Sequence, residues 1–420
     1  MGTESYGPAQ GRGFWGWFTD RFPIESMLKE HLTEYWTPKN FNIWYVFGVL
    51  AGVVLVIQLL TGWFLTMNYK PSAAEAFGSV EYIMRDVEWG WLIRYLHSTG
   101  ASAFFIVVYL HMFRGLMYGS YRSPRELVWI IGMLIFLALM GEAFMGYLLP
   151  WGNMSYWGAQ VIVSLFGTFP IIGGALVEWI RGDYFISDIT LNRFFALHVA
   201  VLPLALVGLA AGHILALHHV GSLNPDGIEI HDELDERGIP KDGVAFHPYF
   251  TVKDTFVLAV FLIIFCAVVF FAPTGGGLLL EPPNFEQANA MQTPPHIAPV
   301  WYFTPFYAML RAVPSFLGTQ VWGVLVMFAA IVLLFFLPWL DRSPVKSVRY
   351  KGPLTKFALA AFAVTMVVLG VCGMKPAVGI YPLLARIFTV AYFAFFLLMP
   401  WYSRIDPVKP VPRRVTYHAH

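Results

Sequence analysis

Long apolar runs dominate this chain and limit what it can fold into. A run of about 18 or more apolar residues is long enough to cross a bilayer as a helix. The composition agrees, because only 13% of the 420 residues are charged, against about 25% in soluble domains. We predict an all-α integral membrane protein with eight spanning helices, at residues 41–67, 91–118, 127–149, 191–219, 254–272, 318–340, 355–372 and 382–401.

Positive charge predicts the orientation of these helices, because Lys and Arg concentrate in cytoplasmic loops. The loop 340–352, the tail 407–414 and the turn that holds Arg114, Arg122 and Arg125 are rich in both residues. An eight-span arrangement puts all three on the side of the termini, so we expect both termini in the cytoplasm. The net charge of +1 argues against nucleic acid as a partner, since binding it requires a basic excess.

The connections between the predicted spans differ in character. Stretches 150–190 and 273–317, on the periplasmic side, are rich in proline and aromatic residues and could hold short surface helices, whereas the highly charged stretch 224–250 lies on the cytoplasmic side. The chain divides into three predicted parts: an N-terminal four-helix bundle at 1–220, a cytoplasmic-side loop at 221–253 and a C-terminal domain with four spans at 254–420.

Four histidines occupy two of the predicted spans. His97 and His111 are fourteen residues apart, a separation that turns a helix through about 1400°, within about 40° of whole turns, and rises about 21 Å. His198 and His213 repeat the pattern on a second helix. One such ring is as readily explained as a packed, hydrogen-bonded side chain, but polar residues inside a membrane are costly and by default indicate function.

Two cross-helix histidine pairs at two depths suit haem. Six-coordinate haem iron takes one axial nitrogen from each side of the porphyrin, whereas zinc prefers four ligands that converge at one depth. Gly48 and Gly62 repeat the fourteen-residue spacing on the first span, and Gly132 and Gly146 repeat it on the third. Glycines in spans commonly serve close helix packing, but two pairs at the histidine period indicate room for two flat macrocycles. We predict a four-helix bundle with two stacked haems.

Topology assigns the depth of each pair. The second and fourth spans both run from the periplasmic to the cytoplasmic side, so we expect His97 and His198 to form the periplasmic pair and His111 and His213 the cytoplasmic pair. The second separation is fifteen residues, about 60° past whole turns. Pro203 lies between these two histidines and can kink the helix so that it absorbs one residue.

Two arginines flank the histidines of the second span. Arg94 and Arg114 each lie three residues beyond a histidine, where their guanidinium groups could bind haem propionates. The alternative is an ordinary role as interfacial anchors.

Six long stretches, in family order, make the chain resemble cytochrome b of the respiratory cytochrome bc complex, ubiquinol–cytochrome c reductase. They are "GWLIRYLHSTGAS", "HMFRGLMYGSYRSPRE", "AFMGYLLPWGNMSYWGAQVI", "LNRFFALHV", "FHPYFTVKD" and "PVWYFTPFYAMLRAVP". The resemblance implies two haem b groups, of low potential at His97 and His198 and of high potential at His111 and His213. It also implies ubiquinol and ubiquinone as ligands, a Rieske iron–sulfur protein and cytochrome c1 as partners, and a homodimeric complex surrounded by membrane lipid.

The same resemblance implies two quinone sites. The quinol-oxidising site on the periplasmic side is similar to a pocket formed by Phe144, Met145, Tyr147, Gly158, Pro299 and Tyr302. The quinone-reducing site on the cytoplasmic side is similar to one formed by His218, Ser222, Lys253 and Asp254. At the ends of two helices, His218 and Asp254 could donate protons to a reduced quinone, although polar residues are common there.

One departure from the family pattern concerns a proton acceptor. The family's Pro-Glu-Trp-Tyr box reads "PVWY" here, and Val300 cannot take a proton. Glu142, in "MGEAFMGYLLP", stands where the family usually has a small neutral or hydroxyl residue, and an intramembrane carboxylate needs a reason. We hypothesise that Glu142 replaces the missing glutamate from the opposite wall of the pocket. The alternatives are a carboxylate turned toward a neighbouring helix or water, or an acceptor at Glu281, Glu286 or His296.

The resemblance implies an enzyme subunit that oxidises quinol near the periplasmic face and reduces quinone near the cytoplasmic face. Electrons cross the membrane between these sites, which contributes to a proton gradient. The alternative is the di-haem cytochrome b anchor of a hydrogenase or formate dehydrogenase, which needs no periplasmic quinol pocket, and a transporter with buried histidines would bind no haem. The long loop 224–250 and the lack of a recognisable targeting segment favour a bacterial inner membrane.

Overall fold

Helices make up most of the structure, a computed structural model that describes residues 13–19, 21–22, 24, 29, 33–316 and 318–416. In this part of the chain the α-helices are α1 (Gly13–Thr19), α2 (Ile43–Thr66), α3 (Ala76–Arg85), α4 (Gly90–Tyr118), α5 (Glu126–Leu148), α6 (Asn153–Leu165), α7 (Gly173–Arg181), α8 (Asp188–Val220), α9 (Phe246–Phe271), α10 (Thr304–Ala312), α11 (Val321–Phe335), α12 (Leu337–Leu340), α13 (Pro353–Met374), α14 (Tyr381–Leu397) and α15 (Met399–Ile405). Strands β1 (Trp36–Pro38) and β2 (Gly243–Ala245) form an antiparallel pair. The predicted all-α membrane class is confirmed.

Six helices of the described chain are long and apolar enough to cross a membrane, namely α2, α4, α5, α8, α9 and α13. The predicted span at 382–401 is divided into α14 and α15, which are bent by 60° and count as a seventh span only if they are taken together. The predicted span at 318–340 holds α11, whose 15 residues fall short of the roughly 20 that a straight span needs. Pro338 and Pro400 are the second residues of the helices after the two breaks. Proline is tolerated in a first helical turn because its missing N–H would have no i to i−4 partner there.

The helices pack into two connected groups. Helix α2 packs along α4 and α5 packs along α8, while α10, α13 and α14 pack on one another. One large apolar cluster contains residues of both groups and links them. Within it the rings of Phe105 on α4 and Tyr302 lie parallel with centroids 3.9 Å apart, and Tyr109 donates from its hydroxyl to the Tyr302 carbonyl. The segment before α10 is therefore fixed against the N-terminal bundle.

A buried ion-pair cluster ties three loops together at one end of the bundle. The Arg125 side chain is only 2% exposed and donates two hydrogen bonds of 2.7 Å to Glu229, and Lys346 donates to Glu229 at 2.6 Å. Burial alone raises the pKa of Glu229, but the bonds and charges of Arg125 and Lys346 outweigh it and lower that pKa to about 2. Removing one partner of such a cluster leaves an uncompensated buried charge.

The fourth bundle helix contains a wide turn at its first histidine. Residues Leu197–Val201 form a π-helical turn within α8, and Pro203 lies two residues after its end. A π turn takes one more residue than an α turn, and Pro203 lacks the N–H that would close an α-helical hydrogen bond. The separation of His198 and His213 is one residue longer than that of His97 and His111, and this turn accommodates the extra residue.

Candidate functional site

Two layers of paired histidines lie between α4 and α8. In one layer His97 faces His198, with ring centroids 6.1 Å apart and ring planes at 86°. In the other layer His111 faces His213, at 6.3 Å and 67°. The structure therefore brings together the same two pairs that were expected from depth.

The separation of the rings fits an iron ion between them. Two metal–imidazole bonds of about 2 Å each, together with the two half-rings, place the ring centroids about 6 Å apart. In the described residues, no group of three or more His, Cys, Asp or Glu side chains could hold a metal ion. Two facing imidazoles suit a metal that brings its own equatorial ligands, as haem iron does.

Each layer also contains two glycines, one on α2 and one on α5, and each glycine lies against a histidine ring of the neighbouring helix. A side chain at these positions would meet the ring directly. The shortest distances from an added Cβ to Cε1 of the facing ring are 3.4 Å for Gly48 against His111, 3.1 Å for Gly62 against His97 and 3.2 Å for Gly132 against His213. At Gly146 an added Cβ would overlap the ring of His198. The glycines thus set how closely each ring approaches its neighbour.

Hydrogen bonds fix the orientation of His97. The Thr61 hydroxyl donates to the Ile57 carbonyl at 2.6 Å, so its oxygen is left to accept from His97 Nδ1, which lies 2.9 Å away. A histidine that donates from Nδ1 keeps Nε2 free as a metal ligand, and the partner of Nδ1 sets the ring's direction. Thr61 is therefore an orienting residue for this layer.

His198 is held in the same way by Glu142 on α5. His198 Nδ1 lies 2.9 Å from the Glu142 carbonyl oxygen and 3.1 Å from its carboxylate Oε1, so both can share the N–H. Glu142 Oε2 is buried without a hydrogen-bond partner among the described residues. The predicted intramembrane carboxylate thus contacts a histidine directly. In the other layer, the buried His111 Nδ1 has no hydrogen-bond partner among the residues that the structure describes.

A cavity of about 1000 Å³ surrounds the His97 and His198 layer. A volume of this size accommodates a large ligand. Its lining includes the residues expected at a haem and at a quinol pocket, among them Arg94, His97, Glu142, Gly146, Tyr147, His198 and Tyr302. The candidate haem layer and part of the candidate quinol pocket are therefore continuous.

The remaining residues predicted for the quinol-oxidising site do not line this cavity. Phe144 and Met145 pack in an apolar cluster against α6. Gly158 lies beside Tyr147: a Cβ added to this glycine would be 3.7 Å from Tyr147 Cε1. Pro299, the first residue of the "PVWY" segment, is partly buried, and Val300 after it is buried.

The predicted cytoplasmic-side residues lie near the adjoining ends of α8 and α9. His218 stacks on Tyr35 with ring centroids 4.3 Å apart. Lys253 donates to the Tyr249 hydroxyl at 2.8 Å. Asp254 follows on α9 and is partly buried, as is Ser222. These contacts leave the quinone-reducing site a prediction.

Arg94 and Arg114 also stay predictions as propionate ligands, and their surroundings differ. Arg94 lines the cavity beside His97. Arg114 donates to the Ser120 hydroxyl at 3.1 Å and lies over the ring of Tyr45 at 4.9 Å. Both side chains are therefore close to a histidine layer, with Arg114 at the His111 end of the bundle.

The arrangement defines a helical membrane protein with two facing-histidine sites stacked in a four-helix bundle. A family model described as Cytochrome b/b6/petB matches residues 32–221, and one described as Cytochrome b(C-terminal)/b6/petD matches residues 287–393. The chain belongs to the cytochrome b family, whose members bind b-type haem and act in electron transport.

Individual relatives cover almost the full chain. It is 63% identical to a cytochrome b of Allochromatium vinosum over 406 residues, which cover 95% of this chain and 97% of the relative. It is 45% identical to a cytochrome b of Triticum aestivum over 398 residues, 95% of each chain. A solved structure described as a hyperthermophilic respiratory Complex III is similar with a TM-score of 0.85 and 39% identity, covering 92% of this chain and 98% of that chain.

Proposed function

We propose that the chain is the haem- and quinone-binding subunit of a ubiquinol–cytochrome c reductase. In this proposal it oxidises quinol on the periplasmic side and conducts electrons across the membrane to reduce quinone on the cytoplasmic side, which contributes to a proton gradient. Its partners are a Rieske iron–sulfur protein, cytochrome c1 and a second copy in a homodimeric complex. The observation that carries the proposal is the pair of stacked layers in which two histidine rings face each other about 6 Å apart.

Within this proposal each layer holds one haem b. His97 and His198 ligate the low-potential haem, His111 and His213 ligate the high-potential haem, and Arg94 and Arg114 bind propionates. Bound haem supplies reversible one-electron chemistry. The protein orients the ligands, since Thr61 and Glu142 contact the Nδ1 atoms of His97 and His198. It also provides glycines that leave room for the histidine rings.

The proposed orientation has both termini on the cytoplasmic side of a bacterial inner membrane. The ion-paired end that contains Arg125 and Lys346 then faces the cytoplasm, in accord with the preference of Lys and Arg for that side. In this proposal the chain divides into a bundle at 1–220, a loop at 221–253 and a second domain at 254–420.

The proposed quinone sites occupy opposite ends of the bundle. Quinol oxidation uses the cavity beside His97 and His198, with Tyr147 and Tyr302 on its walls and the packed residues Phe144, Met145, Gly158 and Pro299 behind them. Quinone reduction uses the ends of α8 and α9, with His218, Ser222, Lys253 and Asp254. A purely electron-conducting anchor would not need the first of these pockets.

A redox titration of the visible spectrum tests the haem assignment. We expect two b-type components of equal amount and different midpoint potential. Among the described residues, side chains bond to the histidines of the His97 and His198 layer, whereas His111 Nδ1 and His213 Nδ1 have no such partner. A single component, or no haem spectrum in the purified protein, would contradict the proposal.

Replacing Glu142 tests the proposed quinol base. Glu142→Gln should lower quinol oxidation about 100-fold, the lower end of what a general base contributes, while two haems remain bound. Stopped-flow reduction of the haems by quinol measures this rate. Glu142→Asp keeps the carboxylate and should retain more activity. Unchanged turnover in Glu142→Gln would show that Glu142 is not the general base for quinol oxidation. Its role would then be to orient His198.

A further inference from the structure

A second carboxylate, that of Glu281, lies behind the residues that line the same cavity. Glu281 lies just before a short 3₁₀ turn at Pro282–Phe285. Its Oε2 accepts hydrogen bonds from the Tyr147 hydroxyl at 3.1 Å and from Asn284 Nδ2 at 3.1 Å. Asn284 Nδ2 also lies 3.0 Å from the Tyr147 oxygen. Glu281, Tyr147 and Asn284 therefore form a closed triangle of hydrogen bonds.

The triangle is rigidly placed. Asn284 Oδ1 accepts from the backbone N–H of Ser155 on α6 at 2.8 Å, and Tyr147 is in the last turn of α5. Tyr147 and Asn284 both line the large cavity that contains His97 and His198. A ligand in the cavity can therefore contact Tyr147, while Glu281 does not line the cavity and lies behind it.

The environment of Glu281 suits a group that exchanges a proton. Burial raises its pKa, and the bonds from Tyr147 and Asn284 offset part of that rise. The titratable groups that face it are the phenols of Tyr147 and Tyr302. Among the described residues, no Lys or Arg forms an ion pair with Glu281, so it is not a structural salt-bridge partner. General bases are tuned in this way toward the working pH.

We propose that Tyr147 and Glu281 form a proton relay for quinol oxidation, an inference that rests on the proposed function. One quinol O–H bond breaks as its proton passes to the Tyr147 oxygen, and the phenolic proton of Tyr147 passes to Glu281 Oε2. The products are a quinolate anion, a neutral tyrosine and a neutral Glu281 carboxylic acid. The electrons of the quinolate leave to the iron–sulfur partner and to the haem chain of the proposed function.

The relay accounts for the proton that Glu142 does not take. A quinol releases two protons, and the two carboxylates approach the cavity from different sides, Glu142 beside His198 and Glu281 beside Tyr147. Asn284 donates to Glu281 and so positions its carboxylate for Tyr147. Glu281 acts through Tyr147 and is a positioning and proton-accepting residue that does not contact quinol itself.

The test uses the intact complex and a short-chain ubiquinol. Glu281→Gln should lower kcat about 100-fold with KM and both haem spectra unchanged, and Glu281→Asp should retain more activity. The matched control is Glu88→Gln, an exposed carboxylate beside the N-terminus of α4, which should keep full turnover. Wild-type kcat in Glu281→Gln, or a loss accompanied by a raised KM or an altered haem spectrum, would overturn the relay.

The pH profile separates proton acceptance from a structural effect. The wild-type rate should fall as the pH is lowered through the raised pKa of Glu281, since the protonated carboxyl cannot accept. Glu281→Gln should lose the part of this acidic limb that Glu281 contributes, and an acidic limb unchanged in position and depth would overturn the relay. Tyr147→Phe should show the same loss, and the double variant no further loss, because the two residues act as one unit. If the wild-type complex oxidises no quinol, the proposed function itself fails, whereas an active wild type with an equally active Glu281→Gln rejects the relay alone.

Discussion

His198→Leu should remove one of the two haems. Leucine offers no nitrogen to a metal, so the layer that pairs His97 with His198 keeps a single ligand, and b-type haem is held only by its ligands and surroundings. The haem-to-protein ratio should fall by half, one component should vanish from the redox titration, and quinol should no longer reduce the haems.

The control for this variant is His219→Leu on the same helix. His219 is exposed and belongs to neither ring pair, so both redox components should remain. Two intact components in His198→Leu would show that another residue provides the ligand, and the proposed pairing would be wrong.

Gly146→Ala should disturb the same haem through steric overlap. An added Cβ would lie 2.8 Å from Nδ1 and 2.9 Å from Nε2 of His198, and closer still to Cε1. The ring must move, at a cost of about 1–3 kcal/mol for an overpacked site. We expect lower haem content and an altered midpoint potential in this layer, measured by haem extraction and redox titration.

Other glycines in the spans provide a graded comparison. Gly48→Ala should be milder, since its Cβ would be 3.4 Å from the nearest atom of His111, and Gly208→Ala should have no effect, since no atom lies within 4 Å. Full haem content in Gly146→Ala, or an equal loss in Gly208→Ala, would show that ring approach does not depend on these glycines.

The sequence predicts where apolar helices occur better than where they break. Six spans were correctly predicted because an apolar run of about 20 residues has few alternatives in a membrane. The runs at 318–340 and 382–401 remain apolar through Pro338 and Pro400, so hydrophobicity alone does not reveal the breaks. Both prolines are visible in the sequence, but whether a proline ends, kinks or is tolerated in a span depends on its neighbours.

The histidine layers were predictable because a helix converts spacing into angle and depth. The glycines were predicted from the same period, but their contact with the rings required the structure. The partners of the rings were not predictable. Threonine in a span commonly bonds to its own helix, as Thr61 does, and nothing local marks it as a partner of His97. The contact between Glu142 and His198 likewise depends on how α5 faces α8.

The triangle at Tyr147 was the least predictable part of the site. Glu281 and Tyr147 are separated by 134 residues, and the chain between them crosses the bundle twice. A lone glutamate in a loop carries no spacing to interpret, so the sequence names Glu281 only as one alternative among several. Long-range packing, and no local pattern, determines this contact.

The π turn at Leu197–Val201 shows that helix phase, and not residue count, is what the ligand positions preserve. An insertion of one residue in a regular helix rotates everything beyond it by about 100° and would turn His213 away from His111. Confining the insertion to one widened turn keeps the two ends in register. A sequence search that requires equal residue spacing of the ligands on both helices would therefore miss chains of this kind. A search that compares the angular positions of the ligands around each helix, and allows one π turn, would find them.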